Sequence, residues 1–286
     1  MMKKNKSVCL LCFSMILSCT SEKSPPIHEI LKTFRNPASN EILIAAHRAV
    51  HLTYPENSLA AIQHAMDMGV AIIEIDVRQT ADGVLVLMHD KTIDRTSTGH
   101  GRIDSLLWND VQKITLKTGS ADSGKLFIPS LEQALLLGKN HLMFDLDVKS
   151  AALPDLVSLI QKTGTQRQVM FFNHNFAVLD TLLMLDPSLL VLPRAETVKE
   201  LQEILSRFIT PVIQINDSIF TAPVDSLIKA TGANVWVNSL GKFDRLARKD
   251  SVAEAYSQFV KGNADIVQTD NPDLWLEFLR DQNAKR

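Results

Sequence analysis

The feature that most narrows the fold is an alternation. Short runs rich in Ile, Val and Leu recur along the chain, and most are followed by a stretch whose apolar residues repeat with helical period. Strands buried on both faces read as continuous apolar runs, and parallel strands need long crossovers, so the pattern predicts a parallel sheet wrapped by helices. The runs predict strands over 42–46, 71–77, 142–148, 169–172, 189–192, 212–215, 234–237 and 265–268, with helices over 59–68, 131–137, 178–185, 198–208 and 274–280. Eight such strands in roughly 250 residues predict an α/β fold, the (β/α)8 TIM barrel. Ser58 stands where an N-cap hydroxyl would serve the first of these helices, and Gly69 where a left-handed residue would end it. The alternation breaks over 80–129, where Ala81-Asp82-Gly83 turns into a further strand over 84–88 and a loop-rich stretch follows. This reads as a small insertion after the second barrel strand.

The N-terminus differs in kind. Lys3, Lys4 and Lys6 precede an uncharged, mostly apolar run over 7–17, too short to span a bilayer comfortably, which reads as a secretory signal peptide over 1–18. Ile16-Leu17-Ser18-Cys19 resembles the bacterial lipobox, which implies that Cys19 is lipidated and becomes the first residue of a membrane-anchored lipoprotein of the cell envelope. Leu17 sits where smaller or β-branched residues are usual, so ordinary cleavage and release to the periplasm or the medium is the alternative. From 19 to 40 the sequence is polar, with Pro25, Pro26 and Pro37, and reads as a tether with at most a short helix over 27–34. The barrel domain follows, over 41–286.

Composition enters by exclusion. A formal net charge of −2 sets up no basic field, and no zinc-finger, RRM or Rossmann pattern is present, so no nucleic-acid partner is expected. The three cysteines, Cys9, Cys12 and Cys19, all lie in or just after the leader, which leaves the barrel without a disulfide framework.

In (β/α)8 barrels the active site forms at the carboxyl ends of the strands. Here the first strand ends in His47-Arg48, the second carries Glu74-Ile75-Asp76, the insertion strand runs into His89-Asp90, and the third carries Asp145-Leu146-Asp147-Val148-Lys149. Strand alternation puts Glu74 and Asp76 on one face, and likewise Asp145, Asp147 and Lys149. Carboxylates gathered in one interior repel unless a cation or protons compensate them; Mg2+ or Ca2+ is the simplest compensation. Arg48 and Lys149 beside them suit a ligand with negative charge on oxygen, and phosphate fits that description.

These motifs resemble the glycerophosphodiester phosphodiesterase family. His47-Arg48-Ala49 with Pro55-Glu56-Asn57-Ser58 is similar to its His-Arg-Gly and Pro-Glu-Asn-Thr/Ser signature, Glu74-Ile75-Asp76 to its Glu-x-Asp, and Val86-Leu87-Met88-His89-Asp90 to its second histidine motif. Ile128-Pro129-Ser130-Leu131-Glu132 and Thr269-Asp270-Asn271-Pro272 resemble two further segments, and the order holds from about Ile42 to Leu279. The resemblance implies a divalent ion held by Glu74, Asp76 and Asp147, phosphate bound by Arg48 and Lys149, and proton exchange by His47 and His89. Its implied reaction is hydrolysis of glycerophosphodiesters to an alcohol and glycerol 3-phosphate. Two departures stand out: Ala49 replaces the usual glycine, and Asp147 stands where Glu is commoner.

Each residue also has a plainer reading. His28, His51, His64, His100, His141 and His174 lie outside the motifs and are read as structural or solvated. Lys149 could merely neutralise Asp145 or Asp147, and Trp236 and Phe172 are read as packing residues. Asn216, Asn238, Arg194 and Asp270 also occupy strand ends but receive no individual role. A related phospholipase, another phosphodiesterase, or a barrel that binds a phosphate ligand without turnover are the alternative functions. Retention of both histidines speaks against the last.

Overall fold

The computed structural model describes residues 25–118, 124–249 and 251–284. In chain order its elements are α1 (Ile27–Phe34), β1 (Leu43–Ala46), α2 (Leu59–Met68), β2 (Ile72–Gln79), β3 (Leu85–Leu87), α3 (Trp108–Val111), α4 (Leu131–Gly138), β4 (Met143–Ser150), α5 (Leu153–Thr163), β5 (Val169–Phe172) and α6 (Phe176–Leu185). They continue with β6 (Leu190–Leu192), β7 (Arg194–Ala195), α7 (Val198–Arg207), β8 (Val212–Ile215), α8 (Ala222–Lys229), β9 (Asn234–Asn238), α9 (Lys242–Lys249), α10 (Val252–Lys261), β10 (Ile266–Thr269) and α11 (Pro272–Ala284). Among the described residues no helix is long and apolar enough to cross a membrane. The leader, Cys19 and the start of the expected tether lie outside the described residues.

Around the sheet the order is β6, β5, β4, β2, β1, β10, β9, β8, β7. Among the strands of the described residues only β3 is antiparallel, paired with β2. β6 pairs with β5 and β7 with β8. Pro193 alone separates β6 from β7; it has no N–H for the ladder, but its carbonyl accepts from Gln214 N at 3.0 Å. The two short strands are thus the halves of one barrel strand, and the expected eight positions are all filled. Ser58 accepts the Ala61 N–H at the start of α2, and Gly69, at φ 81°, closes its end.

Alternation along the strands sorts the interior. Ile44, Ile73, Ile75, Phe144, Leu146 and Val235 face outward into a core shared with the helices. Ala45, Ile72, Met143, Met170, Leu192 and Trp236 belong to a separate cluster inside the barrel, which Ile30 and Phe34 of α1 complete. Trp236 is fully buried there, a packing residue as read from the sequence. Residues 27–34 therefore depart from the tether reading. The helix forms where expected, but its apolar face plugs the barrel's amino-terminal end, and Asn234 Nδ2 donates to the Phe34 carbonyl at 2.5 Å. Burying a side chain such as Phe34 is worth about 1.5–3 kcal/mol, ample reason for the helix to dock.

The insertion has a core of its own: Val86, Met88, Ile93, Ile103, Val111, Leu116 and Ile128. Apolar residues packed independently of the barrel let its loops hold a defined shape beside the mouth.

Candidate active site

β2 and β4 pair in parallel with Glu74 opposite Asp145 and Asp76 opposite Asp147. Since side chains two apart share a face, the register stacks four carboxylates in the upper barrel. Single oxygens of Glu74, Asp76 and Asp147 lie within 4.8 Å of one another. Burial, then the charges of Asp76, Asp145 and Asp147, push the Glu74 carboxyl well above its ordinary range. Burial, then Asp147 and Asp76, do the same to Asp145. Asp147 is raised too, chiefly by burial, although Lys149 works against the shift.

Lys149 Nζ lies 2.5 Å from Asp147 Oδ2 and 3.2 Å from Asp76 Oδ1, so it pairs with the cluster. One ammonium does not satisfy the set: Asp76 Oδ1 and Asp145 Oδ1 are buried without a hydrogen bond of good geometry. Buried, underpaired carboxylate oxygens close together fit a hard divalent cation, and Glu74, Asp76 and Asp147 are the residues that could hold it.

The two histidines share one arrangement. His47 Nδ1 lies 2.7 Å from Asp270 Oδ1, and His89 Nδ1 lies 2.7 Å from Asp90 Oδ1. A carboxylate only accepts, so each ring donates from Nδ1 and keeps Nε2 available. Burial pushes the Asp270 carboxyl upward, but the hydrogen bond from His47 and the neighbouring basic groups His47, His51 and Arg48 outweigh it and hold the pKa below the ordinary value. The Asp90 carboxyl is held far below its usual range, first by Arg95. His47 Nε2 stands 3.9 Å from Glu74 Oε2, which sets the imidazole beside the carboxylate cluster.

Arg48 and Ala49 turn the chain after β1 with φ of 51° and 60°. That left-handed backbone explains why glycine suits position 49; Ala49 tolerates it at a cost of about 1–2 kcal/mol. The turn aims Arg48 N at Glu74 Oε2, 2.8 Å away, and Ala49 N at the Glu74 carbonyl. The Arg48 guanidinium bonds Glu56 through one terminal nitrogen at 3.1 Å, and its buried Nε stands 3.7 Å from Asp76 Oδ2, an ion pair without a hydrogen bond.

Several residues at this mouth were not assigned roles from sequence. Asp270 was quoted within the Thr269-Asp270-Asn271-Pro272 segment and as a strand end, without a role; it meets His47 because β10 pairs with β1, Thr269 beside Ala46. Asn57 exchanges two hydrogen bonds with Asp76, at 2.7 and 3.0 Å, fixing that carboxylate. Arg95, from the insertion, holds Glu56 with two nitrogens and Asp90 with two more contacts, linking the supports of Arg48 and His89. His51, given the default reading, donates from Nδ1 to the His47 carbonyl at 2.8 Å and stands 3.6 Å from Asp270. The signals were Glu56 and Asn57 within the first motif; Arg95 carried none.

Fold and site together define a (β/α)8 barrel whose mouth combines a cation-ready carboxylate cluster with two carboxylate-braced histidines. The chain belongs to the glycerophosphoryl diester phosphodiesterase family, whose model matches residues 47–273. It is 32% identical over 143 residues to a glycerophosphodiester phosphodiesterase of Caldanaerobacter subterraneus, a match covering 46% of this chain and 58% of that one. Matches of this kind span less than two thirds of the curated relatives' own length. The crystal structure of a glycerophosphoryl diester phosphodiesterase from Parabacteroides distasonis superposes with a TM-score of 0.78 at 25% identity, covering 91% of this chain and 93% of that one. An Oleispira antarctica phosphodiesterase, solved in complex with the product sn-glycerol-3-phosphate, has the same fold at 22% identity and TM-score 0.71, covering 84% and 96%.

Proposed function

We propose that this protein hydrolyses glycerophosphodiesters to an alcohol and glycerol 3-phosphate, with Glu74, Asp76 and Asp147 holding Mg2+ or Ca2+. The observation that carries the reading is the pair of histidines, each fixed at Nδ1 by a carboxylate, beside a buried cluster of acids in a chain of this family. When bound, the ion supplies positive charge to the phosphoryl oxygens.

The rest falls to the chain. Arg48, whose Nε faces Asp76 without a hydrogen bond, and Lys149, at the edge of the cluster, are the groups that bind phosphoryl oxygens and orient the diester. One histidine takes a proton at Nε2 from the attacking hydroxyl, of water or of the substrate's own glycerol, and the other gives a proton to the departing alkoxide oxygen; attack by the glycerol hydroxyl leaves a cyclic phosphate, which water then opens to glycerol 3-phosphate with the same proton exchange. Attack forms one P–O bond and departure breaks another, so a proton leaves the nucleophile and one reaches the alcohol. Asp270 and Asp90 stabilise whichever imidazole is charged. Arg95 keeps both halves of this apparatus in register through Glu56 and Asp90.

The cell-envelope setting is part of the proposal: the lysine-flanked apolar run and Cys19 support export with a lipid anchor. The test of the activity is release of glycerol 3-phosphate from defined diesters by purified protein, with and without chelator.

A further inference from the structure

The groups assigned to the reaction come from β1, β2, β4, β10 and the insertion beside β3, one side of the mouth. Across from them, at the ends of β7, β8 and β9, lies a cavity of about 470 Å3 lined in part by Arg194, Asn216, Asn238, Lys242 and Phe243. It opens on the same mouth. Arg194 sits beside Gln214 in the β7–β8 register, and Gln214 Nε2 donates to Asn238 Oδ1 at 2.8 Å and approaches Gln268 Oε1 at 3.4 Å. Gln268 lies on β10, two residues before Asp270, which follows the strand's end. A row of interior side chains thus runs from the cavity's Asn238 through Gln214 to Gln268, on the strand that leads into Asp270.

What the cavity offers is donors. Asn238 Oδ1 is already taken by Gln214 and by Trp236 Nε1, and Asn216 Oδ1 accepts the Ser218 N–H, so both amides have only N–H left to give. Arg194 Nε is buried without a hydrogen-bond partner, and its nearest carboxylate, Glu196, stands 3.6 Å from another nitrogen. Asp217, the acidic residue of the lining, is committed to Lys242 at 2.7 Å. Phe243, the aromatic ring among the lining residues, already has the Lys242 ammonium 4.5 Å from its centroid, which leaves its face poorly placed to receive a quaternary ammonium.

A diester has two arms. We infer that the β7–β9 cavity is the subsite for the alcohol arm, and that Arg194, with the amides of Asn216 and Asn238, selects alcohols bearing an anionic group such as a phosphate or carboxylate. The inference rests on the proposed hydrolysis. The glycerol arm carries only hydroxyls, so an anionic group that Arg194 would meet belongs to the alcohol. Guanidinium and amide donors converging on one oxyanion give charge-assisted hydrogen bonds, the strong kind.

The test uses full-length protein with its divalent ion and a matched pair, glycerophosphoinositol and glycerophosphoinositol 4-phosphate, which differ only in the second phosphate. The readout is the ratio of kcat/KM between them. The parent should favour the phosphorylated member about tenfold or more, the scale of a hydrogen bond to a charged group. Arg194→Gln should bring the ratio near one, and Arg194→Lys should restore part of it. A parent ratio near one, or a ratio that survives in Arg194→Gln, overturns the inference. If Arg194→Gln does not fold, Asn238→Asp replaces donors by an acceptor while keeping the oxygen that holds Gln214 and Trp236, and should cut the ratio in the same way. If the parent cleaves no diester, the proposed activity fails and the subsite is judged alone, by NMR titration with inositol 4-phosphate against inositol. Binding of the phosphate that Arg194→Gln abolishes sustains it; no binding to the parent ends it.

Discussion

His47 Nδ1 and Asp270 Oδ1 meet at 2.7 Å although the residues stand 223 positions apart. The contact exists because the last barrel strand closes onto the first, and Asp270 is itself held by its backbone N–H donating to Asp244 Oδ2 at 2.7 Å. Asp270→Asn keeps the shape but removes the charge that favours a proton on Nδ1 and stabilises the imidazolium. It should lower kcat by about a hundredfold, within the range attributed to acid/base help, with a melting temperature near that of the parent. Steady-state kinetics alongside thermal unfolding check this. A rate within a few-fold of the parent would remove Asp270 from the mechanism.

The carboxylate cluster makes a prediction about pH. Burial and mutual repulsion raise Glu74 and Asp145 well above their ordinary values, so the ion-free folded chain holds protons that the unfolded chain releases above about pH 4–4.5. Ion-free stability should therefore fall as pH rises from that range through the folded values. Coordination holds the ligands ionised and offsets this loss, so the gain in melting temperature from Mg2+ or Ca2+ should grow between about pH 5 and pH 8. Thermal unfolding with added ion or with chelator, across that interval, gives the comparison. A gain independent of pH would contradict coordination by this cluster.

Truncating the plug tests the architecture. Phe34 is 1% exposed among the interior residues of the barrel's amino-terminal end. Phe34→Ala should cost about 3–5 kcal/mol in chemical denaturation, the usual range for emptying a phenylalanine site. A cost below about 1 kcal/mol would mean that residues 27–34 are a spacer after all.

Much of this was legible in the chain because periodicity reports burial directly. The β5 and β8 bounds and the α2 bounds match the sequence reading residue for residue, and most other bounds shift by one or two. Pro193 inside a strand was not legible, since its cost is avoided only by a pairing that changes sides there. Nor was the docking of α1, because eight residues say nothing of what their apolar face will meet. At the site, His47, His89, Glu74 and Asp76 were marked by motif and strand end. Asp270 needed barrel closure, and Arg95 needed the fold of an insertion without periodicity.

For the anchor, mass spectrometry of the natural product should find lipid on Cys19 as the first residue, and Cys19→Ala should abolish it while the barrel, without cysteines, still folds. An unmodified chain beginning elsewhere would refute the anchor and leave the activity untouched.

The central claim is hydrolysis by the two braced histidines, and product analysis tests it most directly. Purified, ion-loaded protein, with matched His47→Ala, His89→Ala and His64→Ala variants, is given a glycerophosphodiester, and glycerol 3-phosphate release is measured. His64 stacks edge-on with Tyr54 and belongs to α2, away from the strand ends, so it serves as the control. The parent and the control should release glycerol 3-phosphate, with losses of roughly a hundredfold or more in each of the other two variants while folding is retained. No glycerol 3-phosphate from the ion-loaded parent, or folded His47→Ala and His89→Ala proteins that work within a few-fold of it, would contradict the account.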